Sequence, residues 1–366
     1  MSVFSRFHVD RPPPVHRTAE YGVRLAAGAV RLSATSRRCR CQLADMGPFM
    51  KVALVVVAPV VLSWGLEILF RREYTTHTAG GVFITGASSG IGLHAAETLA
   101  TEGFTVFAGV RKQADAERIA AMGIARLQPV LVDVTSEAQV DAAVSHVAAA
   151  LQELKQPLVA LVNNAGIPDS SPVEIQAMNK LRGVYEVNLF GVYYITQSFL
   201  PLLRSTGAGA RIVNIGSLAG WISLPGTSTY AGTKHALEAM SDALRLELLP
   251  AQISVSLIKP GYIQTNIGGK ADSHLRNAKA AGSDYTEFLE AEVARHKKVF
   301  SLAPGPAVTS AVILDAITSK YPKTRYFCGT AGALPGVLVA YLKWLLPDRA
   351  WDLLIIHQEA IDALLG

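Results

Sequence analysis

Residues 81–92 read Gly81-Val-Phe-Ile-Thr-Gly-Ala-Ser-Ser-Gly-Ile-Gly92, and this stretch decides the fold. A short apolar run leads into a glycine-rich turn, and the helical pattern HAAETLATEG follows. Gly86, Gly90 and Gly92 permit a tight turn and close backbone approach, which leaves room for a pyrophosphate at the helix N-terminus. The spacing is not GxGxxG, but a strand before the turn and a helix after it predict a dinucleotide-binding site.

The chain beyond this stretch alternates strands with helices. Strand-like runs at 104–110, 127–133 and 158–163 are separated by helical stretches such as SEAQVDAAVSHVAAALQEL. This alternation predicts an α/β fold with a doubly wound parallel sheet, whose ligands lie at the carboxyl ends of the strands. The residues at such ends are Asp133, Asn163, Asn164, Ala165, Gly166, Ser217, Pro260 and Gly261.

A tyrosine and a lysine lie four residues apart at Tyr230 and Lys234. The pattern after Tyr230 predicts a helix over 231–249, so both side chains project from one face. The pKa of a free tyrosine is about 10, and a nearby ammonium is expected to lower it toward the working range of an acid or base. The Ser217 hydroxyl would then hold the substrate oxygen. The alternative is a solvated helix face, with Ser217 as a strand-end cap.

The second predicted strand ends at Arg111 and Lys112, where an acid would otherwise bind the adenosine ribose. A cation at this position favours a 2′-phosphate, so the sequence predicts NADP(H) over NAD(H). In the alternative interpretation, Arg111 points into solvent at a helix start.

Taken in order and spacing, these motifs resemble the short-chain dehydrogenase/reductase family over about residues 78–330. The matching motifs are TGASSGIG at 85–92, Asp133-Val134, NNAG at 163–166, Asn188 in VNLFG, Ser217, Tyr230-x-x-x-Lys234 and PGYIQT at 260–265. The resemblance implies a Rossmann fold with a seven-stranded parallel sheet, and a homodimer or homotetramer.

The resemblance also implies roles for individual residues. Tyr230 corresponds to the general acid/base. Lys234 corresponds to the group that lowers the pKa of that tyrosine and binds the nicotinamide ribose. Ser217 corresponds to the hydroxyl that orients the substrate carbonyl, and Asn188 to the residue that holds a water molecule of the proton relay. The implied cofactor contacts are Gly86, Ser88, Gly90, Ile91, Gly92, Arg111, Asp133, Val134, Asn164, Ala165, Gly166, Tyr230, Lys234, Pro260 and Thr265.

Within the family, residues 217–267 look most like the retinol and 17β-hydroxysteroid dehydrogenase branch and its bacterial relatives. This implies hydride transfer between NADP(H) and a lipophilic alcohol or its ketone or aldehyde. A 3-oxoacyl-type biosynthetic reductase and a catalytically silent dinucleotide-binding sensor remain alternatives. His235 is expected to face away from the site, because five residues from Tyr230 it lies off the shared face.

The basic charge of the chain is confined to its N-terminus. Residues 1–51 hold nine basic and three acidic side chains, whereas the whole chain carries +5, so the remainder is about neutral. A folded part without net positive charge argues against nucleic acid as a partner. Three scattered cysteines predict neither a disulfide framework nor a metal site.

The segment 49–70, FMKVALVVVAPVVLSWGLEILF, is predicted to be a membrane-anchor helix, flanked by Lys51 and by Arg71-Arg72. A buried helix, an interfacial helix and a re-entrant helix are the alternatives. Residues 1–48 are predicted to form a basic extension that is either disordered or a targeting segment. Residues 21–40 have the composition of an organelle transit peptide, unless translation starts at Met50 and leaves a signal anchor. The endoplasmic reticulum is favoured, with the mitochondrion or plastid as alternatives.

Two further segments follow the predicted sheet-forming motifs. Residues 266–303 are expected to form a lid over the substrate. The apolar extension 331–366 is expected to pack on the core, with membrane contact or a substrate entrance as the other interpretation.

Overall fold

The computed structural model describes residue 62 and residues 65–265, 285–332 and 334–356. The chain divides into two units, Met1–Phe70 and Arg71–Gly366. In the first unit, residues 65–69 are helical, and Leu66, Ile68, Leu69 and Phe70 are exposed. The predicted extension 1–48 and most of the predicted anchor 49–70 lie outside the described residues.

Seven parallel strands form the central sheet of the second unit, as the sequence predicted. They are β1 (Gly81–Ile84), β2 (Thr105–Val110), β3 (Leu127–Leu131), β4 (Leu158–Asn163), β5 (Arg211–Ile215), β6 (Ser254–Pro260) and β7 (Arg325–Cys328), in the order β3-β2-β1-β4-β5-β6-β7. Every residue of β1, β2, β4, β5 and β6 is buried. Strands β1, β2 and β4 are largely apolar runs because helices cover both faces, whereas β5 and β6 also bury polar side chains such as Arg211 and Lys259.

The helices that cover the sheet are α1 (Gly90–Thr101), α2 (Gln113–Ala121), α3 (Glu137–Leu154), α4 (Met178–Tyr185), α5 (Gly191–Ser205), α6 (Ser228–Glu247), α7 (Thr286–Leu302) and α8 (Ala307–Thr318). Phe83 of β1 belongs to the core under α3, α5 and α6, whereas its neighbours Val82 and Ile84 belong to the core under α1 and α8. Successive side chains of one strand therefore build opposite layers, as the period of two requires.

Some strands and helices begin or end a few residues away from the positions predicted from the sequence. The third strand ends at Leu131 rather than at 133, and Asp133 follows it in the loop, where its carboxylate accepts hydrogen bonds from Thr135. Helix α6 begins at Ser228, so Tyr230 lies inside its first turn rather than before it.

The C-terminal residues belong to the same compact unit as the sheet. A short hairpin, β8 (Thr330–Ala331) with β9 (Leu334–Pro335), leads into α9 (Gly336–Leu345) and α10 (Asp348–Ile356). Ala340 of α9 and Trp351 of α10 form a small core with Leu218 and Ile222, which follow β5. The extension thus packs against the loop that carries Ser217.

No single helix in the described part of the chain has both the length and the apolar composition to cross a membrane. Among the described residues, the helix pair α7 and α8, bent by 66° at the break between them, meets that test when the two are taken together.

Candidate active site

A cavity of about 700 Å³ lies at the carboxyl edge of the sheet. Three of the four predicted catalytic residues, Ser217, Tyr230 and Lys234, line it. The remaining predicted cofactor contacts line it as well, namely Gly86, Ser88, Gly90, Ile91, Gly92, Arg111, Asp133, Val134, Asn164, Ala165, Gly166, Pro260 and Thr265. Asn188 lies outside the lining, and His235 is exposed and also outside it.

Tyr230 and Lys234 project from consecutive turns of α6 toward the end of β5. The Lys234 Nζ donates a hydrogen bond of 2.8 Å to the Ile215 carbonyl and lies 5.7 Å from the centroid of the Tyr230 ring. Ser217 follows β5 by two residues and begins a short 3₁₀ turn, where its Oγ accepts from the Ala219 N–H at 3.0 Å. The sheet and α6 together therefore bring a hydroxyl, a phenol and an ammonium into one space.

The 3₁₀ turn approaches α6 closely because it contains Gly220. A Cβ at Gly220 would lie 2.8 Å from the Lys234 carbonyl oxygen, which is shorter than real Cβ contacts. Any other residue would push the turn that carries Ser217 away from the helix that carries Lys234.

Helix α6 is joined to the last two strands by a network of ion pairs, in which Lys259 is fully buried and Glu238 largely so. The Lys259 Nζ of β6 lies 2.6 Å from Glu238 Oε1, and Arg325 of β7 pairs with both Glu238 and Asp242, at 3.1 Å and 2.6 Å. Glu238 is one turn beyond Lys234. This network sets the position of the helix along the sheet, and with it the position of the candidate site.

Burial changes the pKa of both titratable groups in the cavity. It raises the pKa of the Tyr230 phenol, and a hydrogen bond with the Ser217 side chain lowers it by less. This direction is opposite to the one expected from the sequence, because the phenol loses its contact with solvent on burial. Burial also lowers the pKa of Lys234 to about 8. The phenol is therefore protonated at neutral pH, and the lysine titrates within an accessible range.

Asn188 is completely buried in a π-helical turn, Glu186–Phe190, between α4 and α5. Its Oδ1 accepts from the Ile167 N–H at 2.8 Å, and its Nδ2 donates to the Ile167 carbonyl at 3.0 Å and to the Thr233 hydroxyl at 3.2 Å. The Asn188 amide thus holds the loop after β4 against α6. A Cβ at Gly166 in that loop would lie 3.5 Å from Asn188 Oδ1 and 3.8 Å from Lys234 Nζ.

Asn164 braces the glycine-rich turn, a function that the sequence did not reveal. Its Nδ2 donates to the carbonyls of Thr85 and Gly86, both at 3.0 Å. The Thr85 hydroxyl in turn accepts from the N–H groups of Asn164 and Ala165, each at 3.0 Å. Gly86 has φ +66°, a conformation that favours glycine. The turn is therefore tied to the end of β4 before any ligand binds.

The N-terminus of α1 faces the cavity without a side-chain cap. Ser88, Ser89, Gly90 and Ile91 line the cavity, and the first turn of this helix contains no acidic residue. Its backbone N–H groups and the positive end of the helix dipole are suited to an anion such as a phosphate.

Two arginines place positive charge near the glycine-rich end of the cavity. One follows the end of β2, and the other contacts the glycine-rich turn. Arg111 is exposed and lines the cavity. Arg118 of α2 donates to the Ser88 carbonyl and pairs with Asp115 at 3.2 Å. Arg118 could not be predicted from the sequence, because nothing in its spacing indicates that α2 folds back toward the glycine-rich turn.

The opposite end of the cavity is mostly apolar. Its wall includes Leu218 and Ile222 after β5, Val299 of α7, Leu342 of α9, and Trp351 and Leu354 of α10. Helix α7 forms part of this wall, within the segment predicted to be a lid; residues 266–284 of that segment lie outside the described residues. The Tyr285 hydroxyl donates to Glu174 at 2.7 Å, which joins the N-terminus of α7 to the 3₁₀ turn Val173–Ile175.

Comparison with known proteins gives the family. The family model described as short chain dehydrogenase matches residues 81–276. The chain is 38% identical over 275 residues to an uncharacterized oxidoreductase, YbbO, of Escherichia coli, covering 74% of this chain and 92% of that protein. It is 39% identical to the mitochondrial D-beta-hydroxybutyrate dehydrogenase of Rattus norvegicus, covering 70% and 80% of the two chains.

A third relative is retinol dehydrogenase 5 of Mus musculus, 32% identical over 310 residues, with 79% of this chain and 96% of that protein covered. Among solved structures, a short chain dehydrogenase/reductase from Burkholderia phymatum in complex with NAD superposes with a TM-score of 0.59. The two chains are 24% identical, and the superposition covers 69% of this chain and 90% of the Burkholderia phymatum chain. That likeness supports the fold described above.

Proposed function

The chain belongs to the short-chain dehydrogenase family, and on that premise we propose that it is an NADP(H)-dependent oxidoreductase interconverting a lipophilic alcohol and its ketone or aldehyde. One observation carries this proposal: Ser217, Tyr230 and Lys234 share a single cavity with an uncapped glycine-rich turn at one end and an apolar wall at the other.

The residues at the glycine-rich end fit a nicotinamide dinucleotide. A Cβ at Gly92 would lie 2.4 Å from Asn164 Nδ2 and 2.5 Å from the Gly86 carbonyl, so the turn packs against α1 only because Gly92 lacks a side chain. This packing presents the N-terminus of α1 to the cavity, where the pyrophosphate would be held. Asp133 and Val134 would contact the adenine, and Pro260 and Thr265 the nicotinamide amide.

Charge at the end of β2 supports NADP(H) over NAD(H). Val110 offers no acceptor for a ribose hydroxyl, whereas Arg111 is a cation in the cavity wall. Arg118, beside the turn, adds a second guanidinium to the same corner. A 2′-phosphate carries close to two negative charges and would gain charge-assisted hydrogen bonds there.

The proposed mechanism assigns the proton to Tyr230. In the reducing direction, the Ser217 hydroxyl orients the substrate carbonyl and the Tyr230 phenol, which burial keeps protonated, donates its proton to the carbonyl oxygen. A nicotinamide held at the glycine-rich end would supply the hydride-transfer chemistry for either direction. The Lys234 ammonium stabilises the phenolate that remains, and Asn188 holds the loop beside Lys234 in place.

Tyr230→Phe tests this assignment, because it removes only the ionisable oxygen. We expect kcat/KM to fall by about 10²-fold or more, the usual contribution of a general acid/base, while cofactor affinity is retained. Tyr193→Phe is the matched control, since Tyr193 is exposed on α5 and lies outside the cavity lining. Retinoids, steroids and 3-oxoacyl thioesters would be tried with both cofactors, following cofactor absorbance. A Tyr230→Phe enzyme as active as the control would refute the role of Tyr230.

We also propose that residues 49–70 anchor the catalytic unit, residues 78–330, to a membrane. The exposed apolar side chains of Leu66, Ile68, Leu69 and Phe70 support this assignment. The endoplasmic reticulum is the favoured location, with the mitochondrion or plastid as the alternative. A homodimer or homotetramer is the proposed assembly.

A further inference from the structure

Helix α7 brings a guanidinium into the wall of the apolar end of the cavity. Arg295 lines the cavity one turn before Val299, and its side chain is only 22% exposed. Withdrawing a charged group from water into apolar surroundings is costly unless hydrogen bonds and an opposite charge compensate. The contacts of Arg295 therefore decide whether it can serve as a binding group.

Those contacts occupy one side of the guanidinium. Nε and Nη2 bind the two carboxylate oxygens of Glu292, at 3.0 Å and 2.5 Å, and Nη1 donates to the Tyr262 hydroxyl at 3.1 Å. Burial lowers the pKa of Arg295, but the bonds to Glu292 and the proximity of Tyr262 together raise it above its ordinary value. Three of the five N–H groups of a guanidinium are thereby used, which leaves one on each Nη for a further acceptor.

Arg295 borders the cavity, but Glu292, its ion-pair partner, does not. Lys298, three residues further along α7, also lines the cavity. The acid in this part of the lining is Asp169, which is buried and already engaged in an interaction of its own. In the described part of the chain, the charge that α7 presents to the apolar end is therefore positive.

Tyr262 connects Arg295 to the part of the site where the reaction is proposed to occur. It follows Pro260 and Gly261 at the end of β6, and its ring packs edge-on against Phe300 of α7, with ring centroids 5.1 Å apart. The guanidinium is thus held to the strand end beside the proposed nicotinamide site, and not only to its own helix. A group bound by Arg295 would have a fixed position relative to Tyr230.

We infer that Arg295, with Lys298, binds the carboxylate of the substrate, so that the substrate class is a lipophilic hydroxy acid and the corresponding oxo acid. This inference rests on the proposed function and narrows it. The apolar wall takes the hydrocarbon chain, and the free N–H groups of Arg295 take the acid. A neutral alcohol of the same length would leave a buried cation without an additional partner.

The test compares octanoate with octanamide, which have the same shape and differ in charge. Binding to the full chain in detergent is followed by tryptophan fluorescence, because Trp351 lines the cavity. We expect wild type to bind octanoate roughly tenfold to a hundredfold more tightly than octanamide, the range for a charge-assisted hydrogen bond. Arg295→Met should reduce that ratio to near one, and Lys298→Met should reduce it less.

Glu292→Gln separates binding from a purely structural role. If Arg295 recognises the acid, Glu292→Gln leaves the guanidinium in place without its competing carboxylate, and the preference for octanoate should be kept or should grow. If Arg295 only joins α7 to Tyr262, neither Arg295→Met nor Glu292→Gln changes the ratio. If Arg295→Met fails to fold, Glu292→Gln and Arg295→Lys still test whether Arg295 binds the acid. Arg295→Lys keeps the positive charge but loses the planar guanidinium, so its preference for octanoate over octanamide should be weaker than that of wild type. Equal binding of both probes by wild type would overturn the inference.

The binding ratio does not depend on turnover, which keeps the two proposals distinguishable. A clear preference for octanoate, together with no turnover of any alcohol or carbonyl compound, would refute the proposed function and leave the anion site standing. Turnover of neutral alcohols, together with equal binding of octanoate and octanamide, would refute the anion site and leave the proposed function standing.

Discussion

Substituting Gly92 by alanine should damage both folding and cofactor binding, and the structure gives the size of the effect. The new methyl group would lie 2.4 Å from Asn164 Nδ2 and 2.5 Å from the Gly86 carbonyl. The carbonyl is backbone and cannot rotate away, so relief requires both Asn164 and the turn that carries Gly86 to move. That movement breaks its two 3.0 Å hydrogen bonds to Thr85 and Gly86.

The two contributions add to a large loss of stability. Each lost hydrogen bond is worth about 1 kcal/mol net, and overpacking a tight contact costs about 1–3 kcal/mol, so the free energy of unfolding should fall by about 3–5 kcal/mol. The displaced turn should also weaken cofactor binding, by about tenfold or more for each hydrogen bond to phosphate that is lost.

Urea unfolding and cofactor titration by fluorescence measure the two effects separately. Gly183→Ala is the matched control, because Gly183 lies in α4 and its new methyl group would meet nothing within 4 Å. Replacing a helical glycine there should raise the free energy of unfolding by about 0.5–1 kcal/mol. If Gly92→Ala unfolds within ~0.5 kcal/mol of wild type and binds cofactor equally well, the bracing of the turn by Asn164 is not what holds the site.

Three other predictions concern the cofactor, pH and the membrane. Wild type should prefer NADP(H) to NAD(H) by about tenfold to a hundredfold in kcat/KM. The double variant Val110→Asp/Arg111→Ala should reverse this preference. If the ratio of the two kcat/KM values barely changes in the double variant, Arg111 points to solvent. Because burial lowers the pKa of Lys234 to about 8, its ammonium is present below that pH and lost above it. Carbonyl reduction, which leaves a phenolate beside Lys234, should therefore slow as pH rises through 8, and a pH profile that stays level far beyond 8 would contradict this role. Full-length protein should remain with membranes after carbonate extraction and a chain beginning at Arg71 should not; equal retention would instead implicate the exposed apolar side chains of α9 and α10.

The fold was predictable because its signals are local and repeated. Strands β1, β2 and β4 are largely apolar runs, the crossovers have helical patterns, and Gly86 and Gly90 mark the turn between the first strand and helix. The shared face of Tyr230 and Lys234 follows from their spacing alone, and the structure places both side chains in the cavity.

Other features depend on long-range packing, which the sequence does not display. The bonds from Asn164 to Thr85 and Gly86 join segments that lie 79 and 78 residues apart. The direction of the pKa shift of Tyr230 was wrong for a related reason: the Lys234 charge can be read from the spacing, but the degree of burial cannot. Arg295 reaches the cavity only because α7 folds across the end of β6, beyond a segment with no diagnostic motif.

The strand order has a consequence for how the chain is made. Strand β1 lies between β2 and β4, and β4 begins at Leu158, more than seventy residues after β1 ends at Ile84. At a synthesis rate of ~5–20 residues per second, one edge of the apolar strand β1 stays unpaired on the ribosome for on the order of 4–15 seconds. An open apolar edge is a site for pairing with the wrong chain. Nascent chains should therefore depend most on chaperones during that interval. Synonymous codons that slow translation between β3 and β4 should lower the yield of folded enzyme without changing any residue.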